Sequence, residues 1–142
     1  MLRTTSFFIL AQLTLFGNTA QAEAQPFAPG SWEFDVSYDL IGVPQTFPGY
    51  TIKQCLDETN PFPNISRPEN PCQTQLQGRF GHTYTWTLNC SDDWEMVQGM
   101  GRIHYNQELA EGDVHLQILN PHNSPQIMEF HIKGKRSGSC ES

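Results

Sequence analysis

Residues 72–90 read Cys72-Gln73-Thr74-Gln75-Leu76-Gln77-Gly78-Arg79-Phe80-Gly81-His82-Thr83-Tyr84-Thr85-Trp86-Thr87-Leu88-Asn89-Cys90. The second half alternates with period two. Tyr84, Trp86, Leu88 and Cys90 fall on one face, and Thr83, Thr85, Thr87 and Asn89 on the other. That spacing, carried by aromatic and β-branched residues, is the signature of a half-buried strand. Cys72, Thr74, Leu76 and Gly78 share one parity in the first half, and the segment from Gly78 to Gly81 supplies a turn. The stretch therefore reads as a β-hairpin.

The hairpin makes a geometric claim. Cys72 and Cys90 are equidistant from Gly81. A turn centred there sets the two cysteines face to face, Leu76 opposite Trp86 and Gly78 opposite Tyr84. Opposed residues in a non-hydrogen-bonded pair stand near the spacing that a disulfide requires. A turn at Arg79–Phe80 would slip the register by three, and the pairing would fail without a bulge. Four cysteines allow three connectivities. If Cys72 pairs with Cys90, Cys55 and Cys140 remain for each other.

The start of the chain carries one positive charge, Arg3, and then the apolar run Phe7-Phe8-Ile9-Leu10-Ala11. The run is too short to span a bilayer, which takes about 20 apolar residues. Ala20-Gln21-Ala22 has the small-x-small form of a cleavage site. Residues 1–22 read as a secretory signal peptide, leaving 23–142 as one β domain, too short for two ordinary cores. An even number of cysteines, all beyond residue 22, fits an oxidising compartment. Without Arg3, seven basic residues face fifteen acids, a formal charge of −8. Such a surface repels nucleic acid and anionic lipid and is open to basic partners.

Trp32, Phe34, Val36, Tyr38 and Leu40 alternate with Glu33, Asp35, Ser37 and Asp39, an apolar-in, acidic-out strand. A loop with two prolines leads to a strand over residues 50–56. Residues 57–71 hold four prolines and read as a surface loop tied at its ends by Cys55 and Cys72, with room for one helical turn at 57–59. A strand over 94–105 turns Val97, Gly99, Gly101, Ile103 and Tyr105 to one side. Two glycines on one face are expected where a sheet bends or backbones approach. Ala110, Gly112, Val114, Leu116 and Ile118 form the next inward face. Met128, Phe130, Ile132 and Gly134 form the last, before a basic tail that starts at Lys133 and ends at Cys140. The pattern predicts an all-β antiparallel meander of about seven strands, curled into a small barrel or sandwich and stapled by disulfides.

An ordered set of residues gives the chain a family likeness. It runs Gly30-Ser31-Trp32-Glu33, Val43-Pro44, Cys55-Leu56, Cys72, then Gly81-His82-Thr83-Tyr84-Thr85-Trp86 and Cys90. Gly99-Met100-Gly101, Tyr105, Gly112 and Gly138-Ser139-Cys140 complete it. This resembles the bacterial domain-of-unknown-function family 3617, small exported proteins mostly of Gram-negative bacteria. The resemblance implies a periplasmic β protein and brings no catalytic residues with it. The chain departs from the family at Asn106-Gln107-Glu108, where members often carry a glycine-containing turn.

Chemistry-bearing residues are few. Four of the five histidines fall on predicted strands. Asp113, His115, Glu129 and His131 share the outward parity of adjacent strands, and a turn centred near His122 sets His131 opposite Asp113 and His115 opposite Glu129. Two imidazoles and two carboxylates form a candidate site for zinc or copper. They serve equally as cross-strand charge pairs, and metal sites need a preorganised geometry. The Asp92-Asp93 carboxylates point apart on a turn. Met96 and Met100 fit core or interface filler better than a copper site. There is no Cys-x-x-Cys, nucleophile elbow, His-Glu-x-x-His or phosphate loop, so neither an enzymatic activity nor a cofactor is expected. Trp32, Phe34, Tyr84, Trp86 and Phe130 point inward. They line a pocket for a small apolar ligand or fill a solid core, and the short chain favours the core. The function this supports is a non-catalytic binding or accessory protein of the cell envelope, its partner an envelope protein or a small apolar ligand. The alternatives are an apolar-ligand carrier and a weak metal binder through His115 and His131.

Overall fold

A computed structural model describes residues 27–66, 71–91 and 95–141. These contain β1 (Gly30–Leu40), β2 (Tyr50–Leu56), β3 (Gln73–Phe80), β4 (Thr83–Asn89), β5 (Met96–Asn106), β6 (Leu109–Leu119) and β7 (Gln126–Gly138). All pairings are antiparallel and form one sheet in the order β2-β1-β7-β6-β5-β4-β3. The all-β architecture and the seven strands match the sequence reading. The sheet is single and open, with β2 and β3 at its two edges. It is a meander from β3 to β7, and β1 then inserts between β7 and β2. Trp94 and the Asp92-Asp93 pair lie outside the described residues, and β5 is described from Met96. The basic stretch after Lys133 is no tail. Lys135 and Arg136 continue β7 and pair with Glu33 and Trp32 of β1.

The hairpin register is close to the expected one. Leu76 faces Trp86, and Gln73 faces Asn89. The turn is the two residues Gly81-His82, so Phe80 faces Thr83 and Gly78 faces Thr85 rather than Tyr84. A bulge at Gln77 absorbs the difference and restores the alignment of Cys72 with Cys90. The two are bonded, Cα–Cα 4.1 Å, and Cys55 is bonded to Cys140, Cα–Cα 5.5 Å.

The inner face packs large residues against small ones along each cross-strand row. Trp86 faces Gly101, which faces Val114, then Phe130 and Tyr38. Tyr105 faces Ala110, then Gly134 and Phe34. A methyl group at Gly101 would overlap the Trp86 indole, and one at Gly134 would overlap the Phe34 ring. The glycines thus let broad rings lie flat on the neighbouring strand. Another close turn joins β5 to β6, where Gln107 takes a φ of 56°. This left-handed conformation, usually given to glycine, is held here by a residue with a Cβ.

One apolar face of one sheet must be covered by something. Here the cover is residues 57–66, the start of the connection from β2 to β3, together with Phe27. Pro61, Phe62, Pro63 and Ile65 are buried, so this segment is a lid over the core and not the surface loop its composition suggested. Phe62 stacks on Trp86, centroids 4.8 Å apart and planes 6° apart. Phe27 packs on Tyr105 and Tyr84. Burying irregular backbone strands its polar groups, and proline reduces that cost because it brings no N–H. The Tyr105 hydroxyl donates to the carbonyl of Pro61 at 2.6 Å, and the Asn64 N–H donates to Gln54 Oε1 at 2.8 Å. The lid opens with an Asx turn: Asp57 Oδ1 accepts from the Thr59 hydroxyl and from the N–H groups of Thr59 and Asn60.

Candidate functional site on the outer face

The residues that first suggested a pocket do not make one. Trp32, Phe34 and Trp86 are 0 % exposed, and Tyr84 and Phe130 are buried with them in the same cluster. Trp32 stacks on Phe34, and its indole N–H donates to the Ala28 carbonyl at 3.0 Å. Burial pushes the Tyr105 hydroxyl far above its ordinary range and raises that of Tyr84. Both stay protonated, and Tyr105 serves as a donor to the lid. The indole N–H of Trp86 has no partner within the core. The five aromatics are packing, and the inner face is closed by the lid.

The outer face has two halves. Toward β1 and β7 it is a ladder of alternating charges. Glu33 meets Lys53 of β2 at 3.2 Å, and by register Lys133 stands between Asp35 and Glu111. Arg102 bonds Asp113 at 2.8 Å. Many of the acids that dominate the composition are therefore set beside bases, and this face is of mixed sign.

The histidine registers are as the sequence predicted: Asp113 faces His131 and His115 faces Glu129. The side chains sort differently. His115 lies between two carboxylates, Nδ1 at 3.2 Å from Glu129 and Nε2 at 3.3 Å from Asp113. His131 turns instead to Asp39 of β1, at 3.5 Å. Asp113 is shared with Arg102. The four residues are neighbours in the sheet but do not converge on one point, and among the described residues no group of three or more His, Cys, Asp or Glu is arranged to hold a metal ion. Three histidines lie on strands, His104, His115 and His131; His82 and His122 sit in turns. His104 Nδ1 is 3.0 Å from the Thr83 hydroxyl.

Toward β3 and β4 the outer face loses its charges. A solvent-open depression of about 1100 Å³ crosses β3 to β7 there. One row across it is Gln73, Asn89, Gln98, Gln117 and Ile127; the next is Gln75, Thr87, Met100, His115 and Glu129. Met96 and Met100 are on the solvent side, more than half exposed, and neither fills the core. The amide side chains of the two rows each offer donors and acceptors, and Ile127 and Met100 add apolar contact. The lining can take a neutral, hydrogen-bonding ligand or a polar segment of a protein. The sequence reading passed over these amides. Their outward parity was visible, but only the strand register shows that glutamines from β3, β5 and β6 meet.

A family model described as a protein of unknown function, DUF3617, matches residues 27–140. The chain belongs to the DUF3617 family. The matched span includes all seven strands, the lid and the four cysteines. No curated protein and no solved structure matches it. In this DUF3617 protein the β5–β6 turn has a glycine-like backbone, with Gln107 in the left-handed region.

Proposed function

We propose that this protein is exported by its first 22 residues and works in the cell envelope as a non-catalytic binding or accessory protein, through the amide-lined depression on its outer face. One observation carries the choice of face. The inward aromatics are buried under the lid, whereas the outer rows of β3 to β7 present an open surface of about 1100 Å³ whose one carboxylate is Glu129. An apolar-ligand carrier would need interior room that the core residues occupy. A basic partner would need an acidic face, and the ladder of β1, β6 and β7 is of mixed sign. The signal-peptide pattern and the two disulfides support an oxidising compartment.

The test uses a photoreactive amino acid placed in living cells at Gln98, within the depression, or at Lys135, on the charged ladder. A cross-linked adduct is expected from Gln98 and not from Lys135. Its yield should be unchanged when the cells are irradiated in high-salt medium, because neutral contacts are not screened. The purified protein should begin at Glu23. Adducts from Lys135 alone, with a yield that falls in high-salt medium, would move the binding surface to the charged half.

A further inference from the structure

The edges of the sheet are finished differently. Edge strands expose unpaired N–H and C=O groups, and proteins blunt them with charges, prolines or a covering segment. β2 carries Lys53 at its centre and is tied through Cys55 to Cys140. β3 carries no charge before its bulge, and its disulfide ties Cys72 only to Cys90 of its own hairpin. From Cys72 to Leu76 it is neutral, and Leu76 is 41 % exposed. In residues 71–91 the only charged side chain is Arg79, in a chain with fifteen acids.

The direction of the edge groups follows from the hairpin. The N–H of Cys90 donates to Val97 on the β5 side at 2.7 Å, and Cys72 and Cys90 stand at the short Cα spacing of a non-hydrogen-bonded pair. Cys72 therefore aims its backbone groups away from β4. By alternation Thr74 and Leu76 do the same. Gln73 and Gln75 face β4, in keeping with the contact of the Thr87 hydroxyl with the Gln75 carbonyl. Among the described residues, the outward groups of Cys72, Thr74 and Leu76 have no strand beside them.

We propose that β3 pairs antiparallel with β3 of a second copy, about a two-fold axis at Thr74, to make one continuous sheet. In this register Thr74 faces Thr74 of the other copy, and Cys72 faces Leu76. The amides of Gln73 and Gln75 oppose each other across the seam, so the outer depression runs on from one copy into the next. Charge selects the occupant. Two molecules of net negative charge repel wherever their acids approach. Self-pairing over residues 72–76 brings together only neutral residues and holds the charged ladders of β1, β6 and β7 away from the seam. The inference goes beyond the binding surface proposed above and stands without it.

Sedimentation equilibrium of the purified, oxidised protein tests this. A monomer–dimer equilibrium is expected, and salt should tighten it. Thr74→Glu and Thr74→Lys each set like charges face to face on the axis, and each alone should be a folded monomer by melting curve and sedimentation. Mixed in equal amounts they should form dimers again. A wild-type protein that stays monomeric to millimolar concentration overturns the proposal and leaves the edge to a strand of another protein. Dimers of either single variant at wild-type strength overturn it as well, because the contact then lies elsewhere. Failure of the Gln98 cross-link leaves these outcomes unchanged, so the two readings are separable.

Discussion

The lid is anchored differently at the two ends of the sheet. The connection that carries it leaves β2 beside Cys55 and reaches β3 at Cys72, so a disulfide stands at each end of that connection. At the β2 end the partner is Cys140, 85 residues away, beyond the close of β7. At the β3 end the partner is Cys90, 18 residues away in the same hairpin. One cross-link ties the beginning of the domain to its end. The other fixes the arms of a hairpin that already has its own turn. The contrast shows how a sheet covered by irregular chain keeps its cover. The lid has no ladder of its own, so the connection that carries it is held covalently at both ends and the lid by a few buried contacts.

The largest effect is expected from separating the two bridges. A cross-link restricts the unfolded chain more as its loop lengthens. On the chain-entropy relation the bridge across 85 residues contributes about 4.5 kcal/mol, and that across 18 about 3 kcal/mol. Cys55→Ala with Cys140→Ala should therefore lower unfolding stability in urea by more than Cys72→Ala with Cys90→Ala does. Full reduction should lower the melting temperature by many degrees. Equal losses from the two pairs would mean that native contacts at the β3 end, and not loop length, set the value of its bridge. An unchanged melt on reduction would remove the covalent anchoring altogether.

The hairpin end was legible because its information is local. Period two gave the faces of β4, and the equal distances from Gly81 gave the cysteine pair. The turn was misplaced only by the half-step that the Gln77 bulge takes up. The His115–Glu129 and His131–Asp113 registers were legible for the same reason, a short turn between two alternating strands. Where the imidazoles point was not. His131 is drawn to Asp39, on a strand distant in sequence. The lid was read as surface because prolines and asparagines carry no periodicity, and burial of such a segment depends on what the sheet leaves uncovered. A signal was present. Phe62 and Ile65 are large apolar residues set among those prolines, in a chain whose described residues form no helix to cover the core. The amide rows of the outer face needed five strands in register before they became one surface.

One of the contacts that hold the middle of the lid is a buried hydrogen bond. Tyr105→Phe removes the donor to the Pro61 carbonyl but keeps the ring against Phe27 and Trp32. An unmet buried carbonyl costs about 1–3 kcal/mol, less than either bridge. The variant should melt lower with its fold intact, and amide exchange should quicken at Asn64 and Ile65 before it does in the strands. Uniform quickening would mean that the lid and the sheet open as one unit.

The smallest effect belongs to the turn where the lid leaves β2. The Thr59 hydroxyl bond, and after it the N–H groups of Thr59 and Asn60, hold the Asp57 carboxyl below the usual carboxylate range. A depressed folded value means that the charged form is the one the fold prefers. The contribution is complete above the unfolded carboxylate value, about pH 4, and is lost as pH falls through the lower folded value. Asp57→Asn keeps an oxygen in place but no charge. Its stability should lie slightly below wild type at pH 7, and the gap should close toward pH 2. The lid end at β2 would then loosen in acid while the Cys72–Cys90 end, which has no titrating group in its bridge, does not. A gap that stays constant from pH 7 to pH 2 would show that the turn depends on the shape of the side chain and not on its charge.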